Sequence, residues 1–506
     1  MGAENYSFYP IGPALPHQTV DKWRAIWKKC RDVLAGEEAI KDAGTEYLPK
    51  MSRMTDLEYE AYKQRALFYG ASQRTMQGLL GSILRKPPVI YASTDELVTK
   101  VTDLVKNITQ TGVDLHGFTR DLVAEILSVG RVGVLVDAPP ANAKLLTQRP
   151  YARMYTAEEI INWRMHFVAG VPVLDQVVLL EVINTPGPDG FGIDQVVQYR
   201  ELTLNEDGSY VQRVWVIDPP KTEKDDATIR MLDEVIPTYR GKPMGKLPFF
   251  FCSASHNRPD VERPPLLDLF NVNISHYRSS ADLEHGRHYT ALPTPVVSGV
   301  DNDEDGATPS LEIGSSTAWL LPTGAQAKML EFNGQGLKHL ENALSEKATL
   351  MTNLGARMLE PDKRSAETAE ALRLRQAGDF ASMNTISDAV GAMLTDVVRL
   401  MAWWYEINKE LDDDTLFVQL NKDYFESRLT PAMLTALVTS WQAGAMGFRD
   451  LYFNLVRGET IDPERSFDEV FDEVMKEAKI REASVNTATN GITPRQGQGT
   501  TATAKP

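Results

Sequence analysis

Cysteine and long apolar runs are both scarce in this chain. Cys30 and Cys252 are the only cysteines among 506 residues, which excludes a disulfide framework and a four-cysteine zinc site and indicates a reducing compartment. No segment approaches the ~18 consecutive apolar residues of a membrane span. The first ten residues, MGAENYSFYP, lack the basic and then apolar pattern of a signal peptide. We therefore expect a soluble protein made in the cytoplasm, without membrane contact.

Basic charge is also in deficit. Acidic side chains outnumber basic ones by 69 to 53, and the formal net charge is -16. Nucleic-acid-binding proteins are usually basic because positive side chains neutralise phosphates. Any contact with DNA would therefore have to be confined to a local part of the surface, or be weak. The hydrophobic content of 42% allows a chain of this length to bury at least one large core, and we expect a folded α+β protein.

The first half of the chain has both helical and strand patterns. Apolar residues at mostly helical spacing, among them Leu57 and Leu67, predict one helix over residues 56–84, ended by the prolines that follow. A second amphipathic helix is predicted before Gly130, and the run VGVLV after it predicts a buried strand. Between Pro150 and Phe251, β-branched and aromatic runs separated by turn residues predict a mostly antiparallel sheet.

The second half is dominated by helices. Apolar stripes predict helices over residues 265–289, 337–358 and 365–410, and short strands lie between the first two. The long third helix carries a stripe from Leu372 to Trp404. Shorter helices are predicted from Pro431, Phe448 and Ser466, and the Thr, Asn, Gly and Gln-rich tail after Arg481 is predicted to be disordered.

Two patterns could hold a metal ion. Asp282, Glu284, His285 and His288 lie on one predicted helix, but no third ligand is evident elsewhere, so we interpret them as a solvated face of mixed charge.

The segment DNDEDGATPSLE, residues 301–312, matches the calcium-loop pattern, with Asp301, Asp303, Asp305 and Glu312 as oxygen ligands and Gly306 at the tight turn. Its flanks are typical of strands where that motif needs helices. We predict an acidic hairpin loop, with calcium binding as the alternative.

Motifs of catalysis are missing from the sequence. The segment GKPMGK, residues 241–246, has three residues between its glycines where a phosphate loop needs four, and Leu247 replaces the hydroxyl residue that would bind magnesium. No G-x-S-x-G segment occurs, and neither cysteine has a neighbouring base in the sequence. These features argue against an enzyme and against a bound cofactor.

Two adjacent basic residues precede the long helix. Ser365 is a good N-cap, and Glu367 and Glu370 lie where the helix dipole favours negative charge. Lys363 and Arg364 come just before the cap, where the dipole disfavours them. Local stability does not explain this pair, which leaves either a partner that it contacts or an exposed turn that is basic by chance.

The arrangement resembles a phage portal protein, in a subgroup first catalogued as a domain of unknown function. The resemblance covers residues 47–480 and is carried by four segments in this order: YLPKMSRMTDLEYEAYKQRALFYGASQRTMQGLLGSILRKPP, RPYARMYTAEEIINW, PPLLDLFNVNISHYRSSADLEH and KRSAETAEALRLRQAG. None of them is a catalytic motif.

The resemblance implies a portal fold with a mixed α/β wing, a two-helix stem, a small β clip, a long wing helix and a helical crown. The implied parts are the wing region (1–263), the first stem helix (264–290), the β clip (291–334), the second stem helix (335–358), the tunnel loop (359–365), the long wing helix (366–410), the crown region (411–480) and a disordered tail (481–506).

The resemblance also implies a function at the head-to-tail vertex of a virion. Portals form a ring of about twelve subunits, closed by a head-to-tail interface, and double-stranded DNA passes through the ring during packaging and ejection. An acidic channel repels phosphates, so the duplex slides. Lys363 and Arg364 would contact the DNA backbone from the tunnel loop, while Lys338, Lys347 and Arg357 would line the channel or pair between subunits.

The implied partners are the terminase large subunit, the head-tail adaptor, and capsid and scaffolding proteins. Terminase and the adaptor would dock at the clip, where Asp301, Asp303 and Asp305 would form part of the surface. ATP hydrolysis belongs to the terminase, in agreement with the missing phosphate loop. The alternatives are another structural virion protein, such as an adaptor or capsid component, and a hydrolytic phage enzyme with a dispersed active site.

Overall fold

The computed structural model describes residues 11–139, 148–220, 227–291, 294–298, 324, 326–330, 335–355, 369–407, 416–422, 424, 431–458, 460–462 and 465–490. The chain divides into two compact units, Met1–Lys422 and Asp423–Pro506. Helices and antiparallel sheets occupy separate segments of the first unit, so the fold class is α+β, as predicted.

The helices of the first unit are α1 (Gln18–Ala35), α2 (Glu37–Asp42), α3 (Asp56–Arg65), α4 (Ala71–Ile83), α5 (Asp95–Val105), α6 (Leu115–Val129), α7 (Leu267–Ala291), α8 (Gln335–Gly355) and α9 (Ala369–Trp404). Its strands are β1 (Val89–Tyr91), β2 (Arg131–Asp137), β3 (Tyr151–Thr156), β4 (Ile160–Val168), β5 (Val171–Pro186), β6 (Ile193–Leu204), β7 (Tyr210–Asp218), β8 (Thr228–Val235), β9 (Thr238–Tyr239), β10 (Lys242–Pro243), β11 (Phe249–Ser253), β12 (Thr294–Ser298), β13 (Gln326–Leu330) and β14 (Phe417–Gln419).

The predicted antiparallel sheet is confirmed for β4 to β8, which form a five-stranded meander, but β3 and β11 at the ends of the predicted range belong to a separate sheet with β2. Strands β4 to β8 pair with one another in chain order, each antiparallel to the next. The middle of β5 is buried from Val177 to Glu181, whereas Phe167, Phe191 and Ile193 near two of the hairpin tips are exposed. The sheet therefore packs against the core at one end only, and its long hairpins extend beyond the core.

A second sheet, in the order β11-β2-β3, lies inside the core. Every residue of β2 is buried, as expected for the run VGVLV when both faces of a strand are covered. Helix α6 leads into β2 through Gly130, whose φ of +81° belongs to the left-handed region. A Cβ on Gly130 would lie 3.0 Å from the carbonyl oxygen of Glu262, so glycine is required here both by φ and by the close approach of the segment that precedes α7.

Buried charges join the two sheets. The carboxylate of Glu181 on β5 accepts hydrogen bonds from Tyr155 Oη at 2.6 Å and Arg200 Nε at 2.9 Å, and Arg153 Nη1 lies 2.9 Å from it. Burial alone would raise the pKa of Glu181, but the charges of Arg200 and Arg153 and the hydrogen bonds outweigh it and lower the pKa to about 2. This carboxylate is ionised in the folded protein, and it connects β3, β5 and β6.

The single helix predicted over residues 56–84 is wrong, because the structure has two. Helix α3 ends at Arg65, the following residue Ala66 is extended, and α4 begins at Ala71. Leu57 and Leu67 are 83% and 59% exposed, so they do not belong to one apolar stripe. Tyr62, which the predicted stripe also contains, is buried, and so is Tyr59. The two shorter helices bury different faces, whereas one continuous helix with a single apolar stripe would bury the same face along its whole length.

Helix α9 confirms the predicted long helix from Ala369 to Trp404. Its predicted continuation to residue 410 is wrong, because residues 405–407 form a turn in which Glu406 has a positive φ. The members of the predicted stripe from Met383 to Met401 are all buried. Gly391 leaves room for β14, because a Cβ there would lie 3.2 Å from the carbonyl oxygen of Val418. The amide of Val418 donates to Thr395 Oγ1 at 2.9 Å, and Arg399 Nε donates to the Leu416 carbonyl oxygen at 2.7 Å. These bonds attach β14 to the helix.

The second unit consists of α10 (Pro431–Gln442), α11 (Phe448–Arg457) and α12 (Phe467–Asn490) in its described part. Phe448 lies 5.6 Å from Trp441 and 5.6 Å from Phe471 between ring centroids, so an aromatic cluster joins the three helices. The disordered tail predicted for residues 481–506 is wrong for its first ten residues, because α12 continues to Asn490. Arg481 and the two residues that follow it are good helix formers, which explains the extension.

Candidate functional site

The segment α7–β12–β13–α8 is the candidate site, since it contains the two predicted stem helices and part of the predicted clip. Leu267, Phe270, Ile274, Tyr277 and Ala281 form the predicted apolar face of α7, and all five are buried. The second half of α7 leaves the core, and Tyr289 near its end is 56% exposed.

Contacts with the N-terminal part of the chain fix the middle of α7. Tyr62 Oη donates to Asp282 Oδ1 at 2.7 Å, and Arg278 Nε donates to the Tyr47 carbonyl oxygen at 2.6 Å. The amide of Leu67, in the break between α3 and α4, donates to Ser280 Oγ at 3.3 Å. The break that the sequence pattern did not reveal therefore supplies a backbone donor to α7.

Helices α7 and α8 run antiparallel. At the end of α7, a Cβ on Gly286 would lie 2.6 Å from Leu337 Cδ2 at the start of α8, and Arg287 Nη2 donates to Glu341 at 3.0 Å. Nearer the beginning of α7, Lys347 Nζ donates to the Ser275 carbonyl oxygen at 3.1 Å. Strands β12 and β13 pair antiparallel between the helices, so the unit is a helical hairpin that carries a β ribbon.

The end of α8 is held against α4. A Cβ on Gly355 would lie 2.5 Å from Thr75 Oγ1 and 2.7 Å from Thr75 Cγ2, a separation that real side chains do not tolerate. Both residues are buried. Glycine therefore allows the last turn of α8 to contact α4, and this contact fixes the point at which the chain leaves α8 towards residues 356–368.

One face of α8 is polar and exposed along its whole length. Its members lie three or four residues apart, the spacing of one helix face, and they carry hydroxyl and amide groups with a single charge at one end. This polar stripe consists of Lys338, Asn342, Ser345, Thr349 and Thr352, all of them exposed. The stripe was not predicted, although its spacing of 4, 3, 4 and 3 is readable from the sequence.

The two lysines predicted on this helix differ in their surroundings. Lys338 is exposed on the polar stripe. Lys347 is half-buried, and burial lowers the pKa of its ammonium below the ordinary value. The roles predicted for both lysines stay predictions. Lys363, Arg364, Arg357, Asp301, Asp303, Asp305 and Glu312 lie outside the described residues.

The histidines of α7 do not converge with other ligands. His285 packs edge-on against Tyr62 at 5.0 Å between ring centroids, and burial together with the charge of Arg65 lowers the pKa of its imidazole. Within the described ranges, no three His, Cys, Asp or Glu side chains are placed to hold a metal ion. Burial also raises the pKa of the Cys30 thiol to about 12, which removes its nucleophilic character near neutral pH.

No helix in the described part of the chain is both long and apolar enough to cross a membrane.

The chain is similar to known proteins over parts of its length. A family model described as a domain of unknown function, DUF4055, matches residues 265–405, which run from the beginning of α7 to the end of α9. No curated protein matches the chain.

Three of the solved structures that resemble the chain come from gene transfer agent (GTA) particles. One chain from the neck of the empty GTA particle has 14% identity and a TM-score of 0.39, covering 75% of this chain and 87% of that chain. A chain from the virion of the native gene transfer agent has 12% identity and a TM-score of 0.36, covering 81% and 95%. A chain from the neck of the native GTA particle, computed with C12 symmetry, has 14% identity and a TM-score of 0.36, covering 75% and 88%.

Proposed function

We propose that the protein is a phage portal. It forms a ring at the head-to-tail vertex of a virion and conducts double-stranded DNA during packaging and ejection. The observation that carries this proposal is the antiparallel α7–α8 hairpin with its β ribbon, followed by α9. With 25 residues, α7 spans about 38 Å at the ordinary helical rise. This succession of helix, ribbon, helix and very long helix is the stem, clip and wing-helix order of a portal.

The surface of α8 suits a passage for DNA. The polar stripe offers hydroxyl and amide groups that can exchange hydrogen bonds with water and phosphate, and its one positive charge is at Lys338. A ring of chains with a net charge of -16 each repels the duplex overall. In the proposed ring the stripe faces the channel, and the duplex slides past a wall that neither binds it tightly nor exposes apolar surface.

The basic pair Lys363 and Arg364 supplies the local contact with DNA in this proposal. Both residues follow Gly355, which is fixed against Thr75, by only eight and nine positions. Their contacts would be to phosphate and independent of sequence. Replacing both residues by Ala should leave the ring intact and reduce DNA packaging or retention, measured as genome length and yield per particle. Unchanged yield and genome length would reject this role.

The proposed clip would bind the terminase large subunit and the head-tail adaptor. Strands β12 and β13 provide its ribbon, and the acidic residues Asp301, Asp303 and Asp305 lie in the connection between the strands. Exchanging these three for Lys should weaken the binding of at least one of the two partners in a pull-down with purified components. Full binding of both partners would argue against docking at this loop.

Mass and symmetry test the whole proposal. Light scattering should give a mass near about twelve subunits, and negatively stained particles should show a closed ring with a hole wide enough for a duplex, because a head-to-tail interface that completes a ring must produce cyclic symmetry. A stable dimer at high protein concentration would contradict the proposal and favour the enzyme alternative.

A further inference from the structure

A cavity between the β9–β10 hairpin and the end of α9 lies apart from the helical hairpin. Its volume is about 590 Å³, within the ordinary range for small-molecule sites. Tyr239 and Trp403 lie on its wall, with ring centroids 3.9 Å apart. The remaining lining residues come from the segment of residues 240–246, which contains the GKPMGK motif that fails as a phosphate loop.

The walls combine aromatic surface with positive charge. Arg240, Lys242 and Lys246 line the cavity, and none of the lining residues that the structure describes is acidic. Glu406 lies beside the cavity and pairs with Arg240 at 3.0 Å. The Arg240 guanidinium also lies 5.2 Å from the centroid of the Tyr239 ring. Aromatic faces bind planar rings, and clustered cations bind phosphate oxygens.

The backbone of the hairpin holds Arg240 in an unfavourable conformation. Tyr239 pairs with Lys242, so Arg240 and Gly241 form a two-residue turn. Their φ angles are +51° and +74°, and such a turn favours Asn-Gly because a bulky residue is strained in the left-handed region. An arginine at this position weakens the turn, and the strained turn holds its guanidinium at the wall of the cavity, close to Tyr239 and Glu406.

We propose that this cavity binds a nucleoside phosphate. The planar base lies against the Tyr239 and Trp403 rings, and the phosphates are held by Arg240, Lys242 and Lys246. Binding without hydrolysis is expected, since no carboxylate is among the described lining residues and Glu406, beside them, is paired with Arg240. The proposal does not depend on the portal function, since it rests on a surface of the first unit outside α7 and α8.

Calorimetric titration of the full-length protein tests the proposal with three probes in EDTA, namely ATP, inorganic triphosphate and adenosine. ATP should bind in the micromolar to millimolar range, triphosphate at least about tenfold more weakly, and adenosine more weakly still. Triphosphate binding as tight as that of ATP would show an anion site without a base subsite and would overturn the assignment. Binding of a single-stranded oligonucleotide without binding of ATP would overturn it too.

Matched variants separate binding from folding. Arg240→Asn replaces a strained residue by one that suits the turn, so it should keep or raise the unfolding temperature. It should also weaken ATP binding about tenfold or more, which is the loss expected for a charge-assisted hydrogen bond. Lys242→Gln should weaken binding in the same direction. Lys22→Gln, an exposed change on α1, is the control and should leave binding unchanged. Undiminished binding in the Arg240→Asn and Lys242→Gln variants would contradict the proposal.

Discussion

Lys347 on α8 donates from its ammonium group to Ser279 Oγ on α7 at 2.6 Å, so a lysine of one predicted stem helix is hydrogen-bonded to the other helix of the same chain. The same ammonium also donates to the Ser275 carbonyl oxygen. Hydrogen bonds from charged groups contribute more to stability than hydrogen bonds between neutral groups. These two bonds connect α7 and α8 at a point where the side chains between the helices are only partly buried.

Removal of this ammonium should loosen the helical hairpin. Lys347→Met keeps the aliphatic part of the side chain and should lower the stability of the helical hairpin by about 1 kcal/mol. The loss is measured as faster amide hydrogen exchange along α8. Lys338→Met removes a lysine from the exposed polar stripe of the same helix and serves as the control. Equal exchange rates in both variants would contradict the structural role of Lys347.

A second prediction concerns the contact between Gly355 and Thr75. Gly355→Ala places a methyl group where Thr75 Oγ1 lies 2.5 Å away, and it should destabilise the end of α8 by about 1–3 kcal/mol. Thr75→Ala removes the atoms that collide, so the double variant should recover most of the loss. Hydrogen exchange in α4 and α8 measures both effects. A double variant that is no more stable than the Gly355→Ala variant would show that the close approach is not the cause.

The buried carboxylate of Glu181 predicts a pH dependence of stability. Its pKa is lowered from 4.5 to about 2 by folding, so its contribution is fully present above pH 4.5 and is lost as the pH falls from 4.5 to 2. Glu181→Gln should lower the free energy of unfolding at neutral pH by about 3 kcal/mol, and this difference should shrink through that window. Urea unfolding at pH 7, 5 and 3 measures it. Glu206→Gln, in an exposed turn, should show no such pattern.

The polar stripe gives a prediction that depends on the proposed channel. Thr349→Lys would add a ring of positive charges to the channel wall and should slow DNA ejection, whereas Thr349→Glu at the same position should not retain DNA. Leu350→Lys adds the same charge on a neighbouring face of α8, where Leu350 is 49% exposed, and should not affect ejection once particles have formed. Identical ejection rates for Thr349→Lys and Thr349→Glu would place the stripe away from the DNA.

The sequence by itself determined the type and order of the long elements. Helices α7, α8 and α9 lie where apolar residues recur at helical spacing, and the meander β4 to β8 lies where β-branched runs alternate with turn residues. These patterns are readable because burying one face of a helix or strand imposes a fixed period on nearby residues.

The tertiary structure decided the contacts between distant segments. The break between α3 and α4 depends on two faces packing against different partners, and the approach of Gly355 to Thr75 joins residues 280 positions apart. The GKPMGK segment fails as a motif, and it lines a cavity only because α9 places Trp403 beside Tyr239. Such pairings depend on how complete elements pack, and no local period of the sequence encodes that packing.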